Sequence, residues 1–278
     1  MINLAQEQTR AAWDKIAAGY DEFVTPTHQE VSENAIHHAG LQTGMKFLDV
    51  AAGSGALTIP AARLGAQVLS VDISPAMIER LIARAHQQGL SNVEAHVMDG
   101  HALEFKDNTF DLSGSQFGVM LFPDLPRALR EMVRVTKPGR RVLLVIFGPP
   151  AKVEFFSFFI RAIQAAVPGF TGPPPEPPPL PFQIADPEKL RRTLADAGLK
   201  EIRVEEATEQ LAFQSGENMW DWLVNSNPIA EAILSGLHLT EEQRGVIVQA
   251  LDDMVRARAG GNGPALLTAQ VYIGIGTK

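Results

Sequence analysis

The sequence predicts an α/β fold, a doubly wound and mostly parallel sheet with helices on both faces. Three observations carry that expectation. From Met45 onward, short strand-like apolar runs alternate with helical patterns of about ten to fifteen residues. The first run meets a small-residue turn, Ala51-Ala52-Gly53-Ser54-Gly55, that leads into a helix. Acids, Asp72 and Asp99, end the next two runs, along the edge where open α/β sheets bind ligands.

The elements follow in order. The first forty residues read as helical, with Trp13, Ile16, Ala17 and Tyr20 sharing one face. Lys46–Val50 is the first strand. The helix after the glycine turn stops at Leu64, before a C′ glycine, Gly65. Ala66–Val71 is the second strand and ends at Asp72. Ser74 is an N-cap with Pro75 at the first helical position, and that helix runs to Gly89. Val93–Val97 is the third strand, and Phe110–Ser115 begins a fourth. Asp124 caps a helix over Leu125–Val135, closed by a Lys137-Pro138-Gly139 turn, and Arg141–Phe147 is the fifth strand.

The rhythm then breaks. Val153–Val167 is an apolar helix, and Thr171–Pro181 is so rich in proline that it must be polyproline II or irregular. A helix resumes at Asp186-Pro187 and ends at Gly198, with a strand at Glu201–Glu205. Ser215–Arg258 reads as helical, with a capping box at Thr240-Glu-Glu-Gln243. Leu266–Thr277 alternates like a terminal strand.

Composition narrows the function. The chain has 278 residues, 45% hydrophobic and 20% charged, and a mean hydropathy near zero, which excludes disorder over most of its length. A net charge of −8 argues against a nucleic-acid partner, which needs a positive surface. No cysteine is present, so disulfides, thiolate zinc sites and cysteine nucleophiles are excluded. The N-terminus has no signal pattern, and the longest apolar run, around Val142–Pro150, is too short for a transmembrane segment. A cytoplasmic enzyme is the expectation.

The glycine turn can bring backbone N–H groups close to a phosphate or carboxylate at a helix N-terminus, or it can be a plain tight connection. A dinucleotide fingerprint needs a third glycine three residues after Gly55, where Thr58 stands. Asp72 can accept hydrogen bonds from ribose hydroxyls or cap the next helix. Asp99-Gly100-His101 can read an exocyclic amine such as adenine N6, or form an ordinary turn.

With these residues in place, the chain resembles the class I S-adenosylmethionine-dependent methyltransferases. More narrowly, it is similar to the group of ubiquinone/menaquinone biosynthesis C-methyltransferases and related small-molecule enzymes. The resemblance spans residues 9–148 and continues at 183–206. It implies a Rossmann-like, seven-stranded sheet whose last strand is antiparallel, with N-terminal helices and a helical insertion before that strand. The expected divisions of this single domain are an N-terminal helical cap (1–44), a cofactor-binding core (45–148), a Phe/Pro-rich insertion (149–182), a late helix and strand (183–206), a helical insertion (207–265) and the terminal strand (266–278).

The resemblance also implies residue roles. The family's acid and glycine motif appears as Asp49, Ala51, Gly53, Ser54 and Gly55, with Ala51 where the first glycine usually stands. Asp72 would hold the ribose of S-adenosyl-L-methionine (the product being S-adenosyl-L-homocysteine), and Ile73 would pack on the adenine. Asp99, Gly100 and His101 would read the adenine edge, Ser115 and Gln116 would lie near the methionine amino group, and Tyr20 would close over the cofactor. The alternatives are an NAD(P)-dependent oxidoreductase, or a protein that binds the sulfonium cofactor without transferring its methyl.

Candidate general bases are His28, His37, His38 and His101, of which His28 is preferred because it lies in the connection after the first helix. No metal site is expected. The acceptor would be a small, apolar or aromatic molecule, not a nucleic acid. Phe155, Phe156, Phe158, Phe159, Phe170, Trp220 and Trp222 would line its pocket, fill the core or form a homodimer face.

Overall fold

The strands of the sheet are β1 (Lys46–Val50), β2 (Gln67–Asp72), β3 (Val93–Val97), β4 (Phe110–Gln116), β5 (Thr136–Phe147), β6 (Lys200–Phe213) and β7 (Ala265–Thr277). Their spatial order is β3-β2-β1-β4-β5-β7-β6. The first five pair in parallel, and β7 runs antiparallel to both β5 and β6. The computed structural model describes residues 4–174, 176–261 and 263–278. Met1–Asn3 of the expected cap, Pro175 of the proline-rich stretch and Asn262 of the helical insertion lie outside the described residues.

The helices are α1 (Leu4–Gly19), α2 (Gln29–Ala39), α3 (Thr58–Arg63), α4 (Pro75–Gln87), α5 (Leu125–Val135), α6 (Glu154–Ala166), α7 (Pro187–Asp196), α8 (Gly216–Ser226), α9 (Pro228–Leu234) and α10 (Glu241–Ala259). Their starts follow capping chemistry. The Ser74 hydroxyl accepts from Met77 N–H, Asp124 from Arg127 N–H, and Asp186 from the N–H groups of Glu188 and Lys189. Thr240 and Gln243 form the expected capping box. No described helix is long and apolar enough to cross a membrane.

Helices on both faces explain why the central strands are buried along most of their length. Phe47, Leu48 and Val50 of β1 are fully buried, as are Val142 to Val145 of β5. α5 turns Leu125, Ala128, Leu129, Met132 and Val135 inward at helical spacing. Each such Leu, Met or Val stabilises the fold by about 1.5–3 kcal/mol relative to exposure. The order reverses between β1 and β4, so a crevice opens beyond their C-terminal ends.

Three local expectations are corrected. The strand expected over Glu201–Glu205 continues to Phe213, because it pairs with nearly all of β7 in a long antiparallel ribbon. The helical insertion expected from residue 207 therefore begins at Gly216. Lys137-Pro138-Gly139 lies within β5, where a register irregularity between Phe110 and Leu112 absorbs the turn-like residues. The N-terminal helical stretch is not continuous. A π-helical turn (Tyr20–Val24) and a 3₁₀ turn (Thr25–His28) separate α1 from α2 and redirect the chain over the crevice.

Candidate active site

Two compartments meet beyond the C-terminal ends of β1 and β4. The first is a polar cradle. Asp49, on β1, is buried and accepts a hydrogen bond from Thr58 Oγ1 (2.6 Å), which also meets Ser70 Oγ (2.7 Å). Its other oxygen, Oδ1, is buried with no partner. Burial, reinforced by the negative charge of Asp72, pushes the Asp49 carboxyl up to about 7. Asp72, at the end of β2, accepts from the backbone N–H groups of Gly53 and Ser74, both 2.9 Å. Burial still pushes it up to about 6, and Asp14 adds to the rise. The bare Asp49 Oδ1, buried beside a second acid, leaves an unmet demand for a hydrogen-bond donor.

The turn between them is shaped for close approach. Ala51 has φ +56°, beside Gly53 at +54° and Gly55 at +101°. Ala51 thus holds a left-handed conformation that suits glycine and costs an L-residue about 1–2 kcal/mol. A Cβ on Gly118 would lie 2.5 Å from the Ala51 Cβ, so these backbones touch only because one is glycine. Ser54 Oγ meets Thr25 Oγ1 at 2.5 Å, tying the turn to the segment between α1 and α2. The first helix is pinned over the cradle as well. Asp14 accepts from Ser74 Oγ (2.5 Å) and Ala76 N–H (3.2 Å), and Asp21 pairs with Arg84. Tyr20 then reaches Gly53, its ring 3.4 Å from where a Cβ would sit. Burial, with the charges of Glu209, Asp72 and Asp49, pushes its hydroxyl well above the usual range.

Asp99, Gly100 and His101 follow β3. Partial burial pushes Asp99 up, but hydrogen bonds from His101 N–H (2.9 Å) and Nδ1 (2.8 Å) and from Gln6 (2.5 Å) outweigh it and hold the carboxyl below its usual range. His101 stacks on Phe122 at 4.5 Å, and its Nε2 is buried without a partner. Gly100 packs so closely that a Cβ would meet Phe122 at 2.8 Å and Val50 at 2.9 Å. Ile73 is half-buried beside Asp72. Ser115 Oγ accepts from Val119 N–H (3.1 Å), and Gln116 Oε1 accepts from Ser32 Oγ (3.0 Å), which leaves Gln116 Nε2 buried and unpartnered.

The second compartment is an apolar cleft of about 460 Å³ including its open mouth. Rings form a continuous wall. His28 lies 4.7 Å from Phe117, which stacks on Phe147 at 4.4 Å; Phe147 meets Phe155 at 5.8 Å, and Phe155 meets Trp222 at 5.1 Å. Phe117 has φ +55°, a strained conformation for a bulky residue that costs about 1–3 kcal/mol and is held by the packing around it. Tyr20 and Trp13 line this cleft too, so the two compartments share a wall.

Of the expected bases, only His28 faces this cleft. It sits on the 3₁₀ turn after the first helix, buried at 3% exposure, with Nδ1 bonded to Glu209 of β6. His37 is exposed, and His38 is half-exposed and paired with Glu205. The aromatic set divides in the same way. Phe155 and Trp222 line the cleft, whereas Phe156 and Phe159 belong to the core and Trp220 lies under Arg244. Glu209 and Phe117 were not anticipated. The signal for Glu209 was available, because it falls on the buried, alternating row with Leu211 and Phe213.

Comparison with known proteins gives the family. The model of the ubiE/COQ5 methyltransferase family matches residues 1–168. An uncharacterized protein of Mycobacterium tuberculosis is 46% identical over 101 residues, 36% of each chain, so the match spans about a third of that relative's length. The 2-phytyl-1,4-naphtoquinone methyltransferase of a Nostoc species is 36% identical over 160 residues, 54% of this chain and 69% of that one. The YcgJ protein of Bacillus subtilis superposes with a TM-score of 0.56 at 18% identity, covering 90% of this chain and 98% of that one, a likeness of fold. Seven strands in the order β3-β2-β1-β4-β5-β7-β6, the acid-and-glycine cradle at the reversal point, and a family match over residues 1–168 together assign the chain to the ubiE/COQ5 methyltransferase family.

Proposed function

We propose that the protein transfers the methyl group of S-adenosylmethionine to a small, apolar or aromatic acceptor by in-line displacement. The observation that carries this is the pair of compartments sharing Tyr20, one polar and acid-lined, the other walled by rings. The cradle suits the cofactor on its own chemistry. Asp72 would accept from ribose hydroxyls, Asp49 Oδ1 lacks a partner, and Ala51, Gly53, Ser54 and Gly55 would let the cofactor approach the backbone closely. Asp99, Gly100 and His101 would take the adenine edge, with Ile73 against its face, and Ser115 and Gln116 the methionine end.

The cofactor supplies a methyl carbon on a positively charged sulfur that leaves as a neutral thioether. The chain's own task is then alignment and exclusion of water. Tyr20 and Trp13 stand between cradle and cleft, where they would keep water from the transfer path. An apolar acceptor would gain from the ring wall, and the name of the Nostoc relative carries an acceptor of that character.

Isothermal titration with S-adenosylmethionine, S-adenosylhomocysteine and NAD tests the assignment. Micromolar binding of the sulfonium pair, with none of NAD, is expected. Tight NAD binding would transfer the case to an oxidoreductase. Cofactor binding with no demethylated product across a panel of apolar acceptors would leave a binding protein rather than a transferase.

A further inference from the structure

The cleft is lined mostly by apolar side chains, and one buried acid–imidazole pair faces it. His28 and Glu209 are 3% and 2% exposed, lie 181 positions apart in the chain, and meet through Nδ1 and Oε1. A pair that served only to join α2 to β6 would be expected to satisfy both carboxylate oxygens. Here Glu209 Oε2 is buried without a partner, and so is Trp222 Nε1; both residues line the cleft. Among the described residues, His28 Nε2 has no hydrogen-bond partner either. The backbone of His28 is held from behind, because Ser32 Oγ lies 2.7 Å from its carbonyl and 3.0 Å from Gln116 Oε1. A fixed imidazole in an apolar chamber, with an acceptor atom and a donor atom both unmet, calls for a ligand that carries a hydroxyl and a second oxygen.

We infer that His28 takes the proton from the acceptor's hydroxyl, and that Glu209 is a positioning residue that keeps Nδ1 protonated and Nε2 bare. This rests on the methyl transfer proposed above. The acceptor oxygen, or the ring carbon that its deprotonation activates, forms a bond to the methyl carbon as the carbon–sulfur bond breaks. The electron pair of that bond stays on sulfur. The hydroxyl proton passes to Nε2, the Glu209 carboxylate balances the imidazolium, and the proton then leaves to solvent. In the ring-carbon case the carbon's own proton is lost afterwards and the oxygen takes a proton back from solvent, which restores the ring and its hydroxyl with one proton released overall. Trp222 Nε1 donates to a second oxygen of the acceptor and sets its orientation.

The test uses the full chain loaded with S-adenosylhomocysteine and labelled with ¹⁵N-histidine; H28Q assigns the signal. The probes are 1-naphthol, which carries the hydroxyl, and 1-methylnaphthalene, which lacks it. Nδ1 of His28 is expected to carry the proton shared with Glu209, and 1-naphthol alone should move its Nε2 resonance. Wild type should bind 1-naphthol about tenfold more tightly than 1-methylnaphthalene, the worth of one hydrogen bond, with the gap closed in H28Q. E209Q should switch the tautomer, because its amide can donate to Nδ1, and should lower kcat far more than it changes KM for any turned-over acceptor; E209D should restore part of kcat. A bare Nδ1 in wild type, or an Nε2 signal that ignores 1-naphthol, overturns the inference while the methyl-transfer assignment stands. Failure of S-adenosylhomocysteine to bind in the same samples overturns that assignment, and this inference with it.

Discussion

Replacing Asp49 with asparagine should change how the ligand-free protein responds to pH. The carboxyl rises from an ordinary 3.8 to about 7 in the folded state, with burial the largest cause. A folded-state value above the unfolded one means that stability is fully present below about pH 4 and is lost as pH climbs through about 7. At about 1.4 kcal/mol per pH unit, the whole effect is about 4 kcal/mol, and about 2.5 kcal/mol of it falls between pH 5 and pH 7.5. Asp49→Asn keeps an oxygen to accept from Thr58 Oγ1 and cannot ionise, so this loss should vanish. Urea unfolding of both proteins at the two pH values measures it, with equal m-values required. Asp72 shares the cradle and also titrates high, so part of the dependence persists in the variant. Equal pH slopes for wild type and variant would refute the argument that Asp49 sits in the fold as an unsatisfied acid.

Three further outcomes follow from the same geometry. Asp72→Asn should weaken S-adenosylhomocysteine binding by about 10- to 100-fold in calorimetry, the range for losing charge-assisted hydrogen bonds; unchanged affinity would remove Asp72 from the cradle. Gly118→Ala should cost about 1–3 kcal/mol in urea unfolding, because its methyl meets the Ala51 Cβ at 2.5 Å and Ala51 O at 3.0 Å. Adding Ala51→Gly should return most of that, since it removes the facing methyl and the left-handed cost together; strictly additive effects would count against the contact. Thr240→Ala should lower stability by about 1 kcal/mol by opening the capping box of α10, with cofactor affinity unchanged.

The parallel half of the fold was legible because its signals are local. Ser74 and Pro75, Asp124, and Gly65 each punctuate an element through chemistry within a few residues, and the helices start or stop there. The cradle was legible for the same reason, as it is one turn and the ends of two neighbouring strands. The apolar cleft was not, because its wall is assembled from distant segments. His28 was legible as a histidine in a connection, but its orientation depends on Glu209, 181 positions away. The length of β6 was misjudged because an antiparallel ribbon is set by its partner, and the strand's first half alternates weakly on an exposed edge. The π-helical turn that carries Tyr20 over the glycine loop has no sequence mark that separates it from ordinary helix.

The order of the last three strands bears on how the molecule is assembled as it emerges from the ribosome. β6 touches no strand but β7, and β7 is what joins it to β5. The strands around the cradle are complete once Phe147 has been made, and their pairings are parallel and already closed. Glu209, in contrast, has no place in the sheet until residues 265–277 arrive to bridge the gap. A nascent chain would therefore hold a nearly finished cradle while its ring-walled chamber still lacked one side. On the function proposed above, a chain stopped before residue 265 would carry the cradle without a complete acceptor compartment beside it, so binding and transfer could be separated by truncation.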